Sequence, residues 1–152
     1  MSEWLPSLLE RWALPARQFR GGGAAASVRA DVIRNLEWLL NSQASALQND
    51  EELPLAVRRS VYCFGLPCYS GRDEVMQKPT DVAWALHESI VAFEPRIDPG
   101  TLSVQVDADP QRPGLNRMRF TIRGMLRAQP DHVELQIQTE LDVQGGTGRI
   151  IG

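Results

Sequence analysis

Hydrophobic residues recur every three or four positions through the first two thirds of the chain, which predicts a series of amphipathic helices. The most regular repeat follows Ser27, a candidate N-cap whose hydroxyl would accept a hydrogen bond from the first helical turn. Its apolar stripe consists of Val28, Val32, Leu36 and Leu39. Trp38 falls on nearly the opposite face, so we expect its ring either to meet a partner or to be covered by the N-terminal segment.

The residues before this helix form a separate segment. Residues 3–12 place two leucines and a tryptophan at positions i, i+4 and i+7, which predicts a short amphipathic helix. Glycines and alanines at 21–26 then predict a flexible joint. We therefore divide the chain into an amphipathic segment with a Gly/Ala linker at 1–26 and a single domain at 27–152. The segment would either dock on that domain or anchor a partner.

Two more helices are predicted before residue 94. Residues 54–64 have one apolar face and stop at Gly65, and a later helix begins at Thr80, a second candidate N-cap. The apolar face of the former comprises Val57, Val61 and Phe64. The latter has a core-facing stripe of Val82, Leu86, Ile90 and Phe93, and a weaker face of Trp84, His87 and Val91. Two apolar faces predict a helix that lies between layers or contacts a neighbour.

Beyond residue 100 the pattern changes to strict alternation of apolar and polar residues. Strands are predicted within 101–107, 116–126 and 132–143, each with one apolar and one polar face. This is typical of an antiparallel sheet covered on a single side. Gly124, inside the middle strand, predicts the close approach of a helix or a β-bulge. The fold class is therefore α+β, with helices packed on one face of a small, mostly antiparallel β-sheet.

The polar faces of the last two strands predict how these strands pair. A four-residue loop at 128–131 would place Arg119 opposite Glu140 and Arg117 opposite Asp142. On the buried side the same register pairs Leu126 with Val133 and Ile122 with Ile137. The row of arginines is thus predicted to form cross-strand ion pairs rather than a basic groove. A slip of one residue would abolish both charge matches.

Composition and charge limit the functions that are expected of this chain. The chain has 152 residues and a formal net charge of -3, so binding nucleic acid by phosphate neutralisation is not expected. The N-terminus has no basic leader and no apolar run is long enough to cross a bilayer, so we expect neither secretion nor membrane insertion. Cys63 and Cys68 are too few for a structural zinc site and are interpreted as reduced thiols of a cytosolic protein.

The stretch VAFEPRI, residues 91–97, joins the last helix to the first strand. Pro95 disfavours helical geometry at Glu94, so the helix should end near residue 93. Glu94 and Arg96 would then project from a stiff, extended link, and such a rigid pair loses little entropy when it binds a partner. The alternative is an intramolecular salt bridge that finishes the helix.

Enzymatic interpretations find little support in the residues. His87 and His132 have no nucleophile motif beside them, and the glycine-rich stretches lack the lysine and spacing of a phosphate-binding loop. Glycoside hydrolysis needs two carboxylates, one of them protonated. Glu94 could be that acid, but Arg96 would favour its ionised form, and no motif places a second carboxylate. We therefore expect no catalytic residue, metal or cofactor.

Several segments taken together resemble a known family. They are the helix SVRADVIRNLEWLLNSQ, the loop FGLPCYSG, the helix that ends in FEPRI, and the strand pair MRFTIRGMLRAQP and VELQIQTELDV. In this order they resemble the TssE family of type VI secretion baseplate subunits, which are similar to a "lysozyme-like" wedge protein of contractile phage tails. The chain departs from the family pattern at Cys68, where an acidic residue is common, and at Cys63.

The resemblance implies a structural role. It implies a cytoplasmic protein of the baseplate at the inner face of the inner membrane, which binds other wedge subunits and contractile sheath proteins and helps start sheath polymerisation. It assigns partner binding to the E-P-R triplet, carried over onto Glu94, Pro95 and Arg96. No small-molecule substrate is expected. The alternative, which the family label suggests, is a small peptidoglycan hydrolase.

Overall fold

The helices and strands of the computed structural model are described within residues 24–45, 50, 52–67, 78–107, 117–127, 133–142 and 145–152. In these ranges the helices are α1 (Ala24–Leu40), α2 (Leu55–Arg58) and α3 (Pro79–Phe93), with a 3₁₀ turn at Val61–Cys63. The strands are β1 (Ser103–Asp107), β2 (Arg117–Leu126), β3 (Val133–Asp142) and β4 (Thr147–Ile150). The predicted helix at 3–12, Cys68 and His132 lie outside the described residues.

The sheet has the order β1-β2-β3-β4, and every neighbouring pair is antiparallel. The predicted register is confirmed, because Arg119 lies opposite Glu140 and Ile122 lies opposite Ile137. β4, which pairs with β3, was not predicted. One face of the sheet packs with α1 and α3 in a single core, so the predicted α+β arrangement is confirmed. The most buried residues of this core include Val32, Leu36, Leu39, Val82, Leu86, Ile90, Phe120, Ile122, Leu126, Leu135 and Ile137.

Both predicted N-caps were wrong. α1 begins at Ala24, so Ser27 lies inside the helix, and α1 includes the last residues of the predicted Gly/Ala linker. Alanine is the best helix former, which explains the earlier start. α3 begins at Pro79, and no side chain caps it. A proline suits the first helical turn, because its fixed φ is already helical and its missing N–H would have no partner there.

The single helix predicted at 54–64 was also wrong. The chain leaves α2 after one turn and forms the 3₁₀ turn, which leaves Val61 86% exposed and buries Cys63 completely. Gly65, at φ +126°, lets the following residue pair with the chain beyond α1: Leu66 O accepts from the N–H of Ala44 at 2.8 Å. The predicted helix is interrupted earlier, at Ser60, whose φ of -77° and ψ of 167° are extended rather than helical.

Gly124 admits a close approach, as predicted, but the approaching group is not a helix. A Cβ at Gly124 would lie 2.8 Å from Cγ2 of Ile97, which belongs to the link that follows α3. Pairing is continuous through this position, since Gly124 lies opposite Leu135, so β2 has no bulge here. The glycine therefore fixes how closely the link lies against the sheet.

Candidate functional site

The link between α3 and β1, residues 94–102, is bonded at its beginning both to α3 and to β2. The N–H of Glu94 donates to Ile90 O at 2.8 Å, and Ile97 N donates to Glu94 O at 3.1 Å. Ile97 also forms an isolated β-bridge with Leu126, and Arg96 O accepts from Arg127 N at 2.8 Å. The backbone of the link is thus held between the end of α3 and the end of β2.

The side chain of Glu94 points into the protein and is bound by Arg96. The residue is 1% exposed, and its Oε1 and Oε2 accept hydrogen bonds of 2.6 Å from Nε and Nη2 of Arg96. Such a bidentate, charge-assisted pair has little orientational freedom. The expectation that both charges project from an extended link is therefore wrong for Glu94, and the intramolecular salt bridge is present.

Helix α1 completes this arrangement. Nδ2 of Asn35 donates to Oε2 of Glu94 at 2.8 Å, and Oδ2 of the buried Asp31 lies 4.0 Å from Nη1 of Arg96. Arg34 forms an ion pair with Asp31. We call Asp31, Arg34, Asn35, Glu94 and Arg96 the charge network. Two carboxylates face two guanidinium groups, so the formal charges of the network cancel, as the burial of the two carboxylates requires.

The α1 members of the network were not identified from the sequence. Asp31, Arg34 and Asn35 lie at i, i+3 and i+4 and form a polar stripe on a helix whose other face is apolar. That stripe is the signal that was available. It does not show which distant residue the stripe meets, because helical periodicity reports only which residues share a face.

The network reaches the surface beside Trp38. This tryptophan is 49% exposed, and the guanidinium carbon of Arg34 lies 5.9 Å from the centre of its ring. Pro95 is exposed as well, whereas the side chain of Arg96 is only 18% exposed. Of the predicted triplet, Pro95 and part of Arg96 are accessible, and Glu94 is not.

A second charge cluster lies on the outer face of the sheet. Glu140 pairs with Arg149 at 3.0 Å, with Arg119 at 3.4 Å and with Arg117 at 3.6 Å. Burial alone would raise the pKa of Glu140, but the charge of Arg149, the hydrogen bonds from Arg119 and Arg149, and the charge of Arg117 together lower this pKa below its ordinary value. Arg117 and Arg119 are therefore paired across the strands, as the register predicted.

Comparison with known proteins places these features in a family. The family model of the baseplate wedge protein gp25 matches residues 26–131. The chain belongs to this family. It is also the family of TssE, so the resemblance to that family inferred from the sequence is confirmed. No curated protein and no solved structure matches the chain.

The match to the wedge family includes nearly all of α1 and all of α3, the link and β2. Every residue of the charge network therefore lies inside the matched range. Among the residues that the structure describes, no helix is both long and apolar enough to span a membrane. The same residues include no group of three or more histidine, cysteine, aspartate or glutamate side chains placed to hold a metal ion.

Proposed function

We propose that this chain is a non-enzymatic structural subunit of a type VI secretion baseplate. In this proposal it binds other wedge subunits in the cytoplasm, at the inner face of the inner membrane, and helps to start polymerisation of the contractile sheath. Membership of the baseplate wedge family supports the assembly role. The resemblance of the helix motif, the G-L-P loop and the E-P-R triplet to TssE supports the particular secretion system.

The observation that carries the proposal is that hydrogen bonds hold Arg96 in a fixed position. Its guanidinium donates two hydrogen bonds to Glu94, and its backbone oxygen accepts one from the N–H of Arg127. These bonds fix the position of the residue. A contact made by a side chain that is already ordered loses little entropy on binding. Within the E-P-R triplet, Pro95 and Arg96 would then meet the partner, and Glu94 would position Arg96 from inside.

The hydrolase alternative has weaker support. A general acid must reach the glycosidic oxygen and carry a proton. Both oxygens of Glu94 already accept hydrogen bonds within the chain, and the residue is buried. Asp31, the other carboxylate of the network, is buried and paired with Arg34. These contacts are typical of a structural ion network.

The test is to replace Arg96 and measure assembly. The chain is co-expressed with the other wedge subunits of its secretion system and purified by a tag. We expect the wild-type chain to retain them and Arg96→Ala to lose about tenfold or more of the retained partner, as is usual for a central arginine of an interface. Arg123→Ala, which removes an exposed arginine from β2, is the matched control and should retain them fully.

Two results would contradict the proposal. One is a wild-type chain that folds but retains none of the wedge subunits. The other is digestion of peptidoglycan by the purified wild-type chain, with this activity lost in Glu94→Gln. Circular dichroism of each variant separates a lost contact from a lost fold.

A further inference from the structure

The exposed end of the charge network combines an aromatic ring with positive charge. Trp38 is half exposed, and its ring lies beside the guanidinium of Arg34 on the same side of α1. Tryptophan and arginine are among the residues most enriched at the positions that contribute most of the binding energy of protein interfaces. We call Arg34, Trp38, Pro95 and Arg96 the Trp38 surface.

The charges of the network are arranged with the carboxylates inside. The side chain of Asp31 is 1% exposed and that of Glu94 is fully buried, whereas those of Arg34 and Arg96 are 40% and 18% exposed. Asp31 contacts both guanidinium groups, so the two cations lie side by side. Although the network is formally neutral, its solvent-facing groups are therefore cationic.

We propose that the Trp38 surface binds an acidic protein segment, in which an aspartate or glutamate lies beside an aliphatic or aromatic side chain. The carboxylate would meet Arg34 and the accessible edge of Arg96, and the apolar neighbour would pack on Trp38 and Pro95. This inference rests on the proposed function, because the segment belongs to another baseplate subunit. It adds residues of α1 to the binding surface and assigns the chemistry of the partner.

Protein fits this surface better than nucleic acid does. Two partly exposed cations suit one carboxylate, whereas a phosphate backbone needs an extended row of free cations. The chain has a net charge of -3, and Arg117 and Arg119 of the outer sheet face pair with Glu140 and Asp142. A rigid aromatic ring beside a guanidinium also matches the composition of interface cores.

Photocrosslinking of the assembled complex tests the proposal directly. The photoreactive amino acid p-benzoylphenylalanine is introduced in place of Trp38, and in a second sample in place of Trp84. Trp84 is 66% exposed on α3 and lies ten residues before Glu94, about 15 Å along the helix axis. We expect position 38 to crosslink to a wedge subunit at a segment that contains an aspartate or glutamate, as identified by mass spectrometry.

Substitution provides the second measurement. We expect Trp38→Ala to reduce the retained wedge subunits about tenfold and Trp84→Ala to leave them unchanged. Replacement of the crosslinked aspartate or glutamate on the partner by lysine should reduce the amount of retained wedge subunits to a similar extent. Arg34→Glu in the chain should then restore at least part of that loss, whereas Arg29→Glu, the same change at an exposed position of α1, should not.

The outcomes separate this inference from the proposed function. If the wild-type chain retains the wedge subunits but position 38 gives no crosslink, or crosslinks only to a segment without acidic residues, the Trp38 surface is wrong and the assembly role stands. If Trp84→Ala and Trp38→Ala lower retention equally, binding is not local to this surface and the inference is also wrong. If the folded wild-type chain retains no subunit, both proposals fail.

Discussion

Glu94 accepts hydrogen bonds from the side chains of two residues, Arg96 and Asn35, and is closed off from solvent. At the scale of one residue, the burial of this carboxylate is unfavourable in free energy, because an ionised carboxylate loses its hydration on burial. Apolar residues of similar volume often stabilise a core equally well. We infer that the pair is kept for the geometry that it imposes on Arg96.

Replacement of Glu94 by glutamine should show this dependence. Glu94→Gln removes the negative charge and leaves Arg96 largely buried beside an amide, so we expect a loss of about 3 kcal/mol in the free energy of unfolding. The chain should still fold, since domains of this size are typically stable by about 5–15 kcal/mol. Urea denaturation measures the loss. Glu37→Gln, an exposed change on α1, should stay within about 0.5 kcal/mol of wild type; equal losses for both would refute the role of the buried pair.

At the scale of elements, the important contact joins the link to β2. Ile97 packs directly over Gly124, and Arg96 O and Asp98 N bond to Arg127 and Met125 near the end of the same strand. The position of Arg96 is therefore set from two directions, by Glu94 at the end of α3 and by the sheet. A side chain larger than hydrogen at position 124 would disturb the second of these.

Gly124→Ala tests the contact between the link and β2. The added Cβ would lie 2.8 Å from Ile97 Cγ2, so Ile97 must move, and we expect a destabilisation of about 1–3 kcal/mol. If Arg96 binds the wedge subunits as proposed, their co-purification should fall as well, because the displaced link carries Arg96. Gly100→Ala is the control, since among the described residues its Cβ would meet Asp98 Oδ1 alone, at an ordinary contact distance of 3.7 Å. A melting temperature of Gly124→Ala equal to that of wild type would show that the packing is loose.

At the scale of the whole molecule, the two faces of the sheet have different roles. The apolar face forms the core with α1 and α3, and on the outer face Arg117 and Arg119 pair with Glu140 across the strands. Glu140 is central to the outer face, because its arginine partners come from β2 and from β4. One carboxylate therefore helps to join three strands.

The stability of the molecule should depend on pH through Glu140. Its pKa in the folded chain is lowered, so its contribution is complete above its ordinary value of 4.5 and is lost as the pH falls through the lowered pKa. At pH 7 we expect Glu140→Gln to be less stable than wild type by about 1 kcal/mol, since the arginines are partly exposed and screened by solvent. Urea denaturation at a series of pH values should show this difference shrinking below pH 4.5.

Glu134→Gln provides the matched control for the pH series. Glu134 is exposed on β3, the same strand as Glu140, and undergoes the same chemical change. We expect its stability difference from wild type to be small at every pH. If the difference for Glu140→Gln stayed constant down to pH 3, the ion cluster would not contribute to acid unfolding.

The sequence alone determined the features that repeat locally. The core stripes of α1 and α3 follow from helical spacing, and the alternation in β2 and β3 follows from the two-residue period of a strand. The register could be predicted because a slip would exchange the two faces and separate Arg119 from Glu140. The E-P-R motif indicated where α3 ends and the link begins. Together with the other segments, it also indicated the family.

Only the tertiary structure decided what distant segments do to one another. Leu66 pairs with the chain after α1, and β4 forms by pairing with β3, although its glycine-rich stretch has little pattern of its own. The direction of Glu94 was decided in the same way, by Asn35 on α1 and by Arg96. The physical reason is that periodicity reports which side of an element is apolar, whereas the partner of a polar side chain depends on which elements pack together.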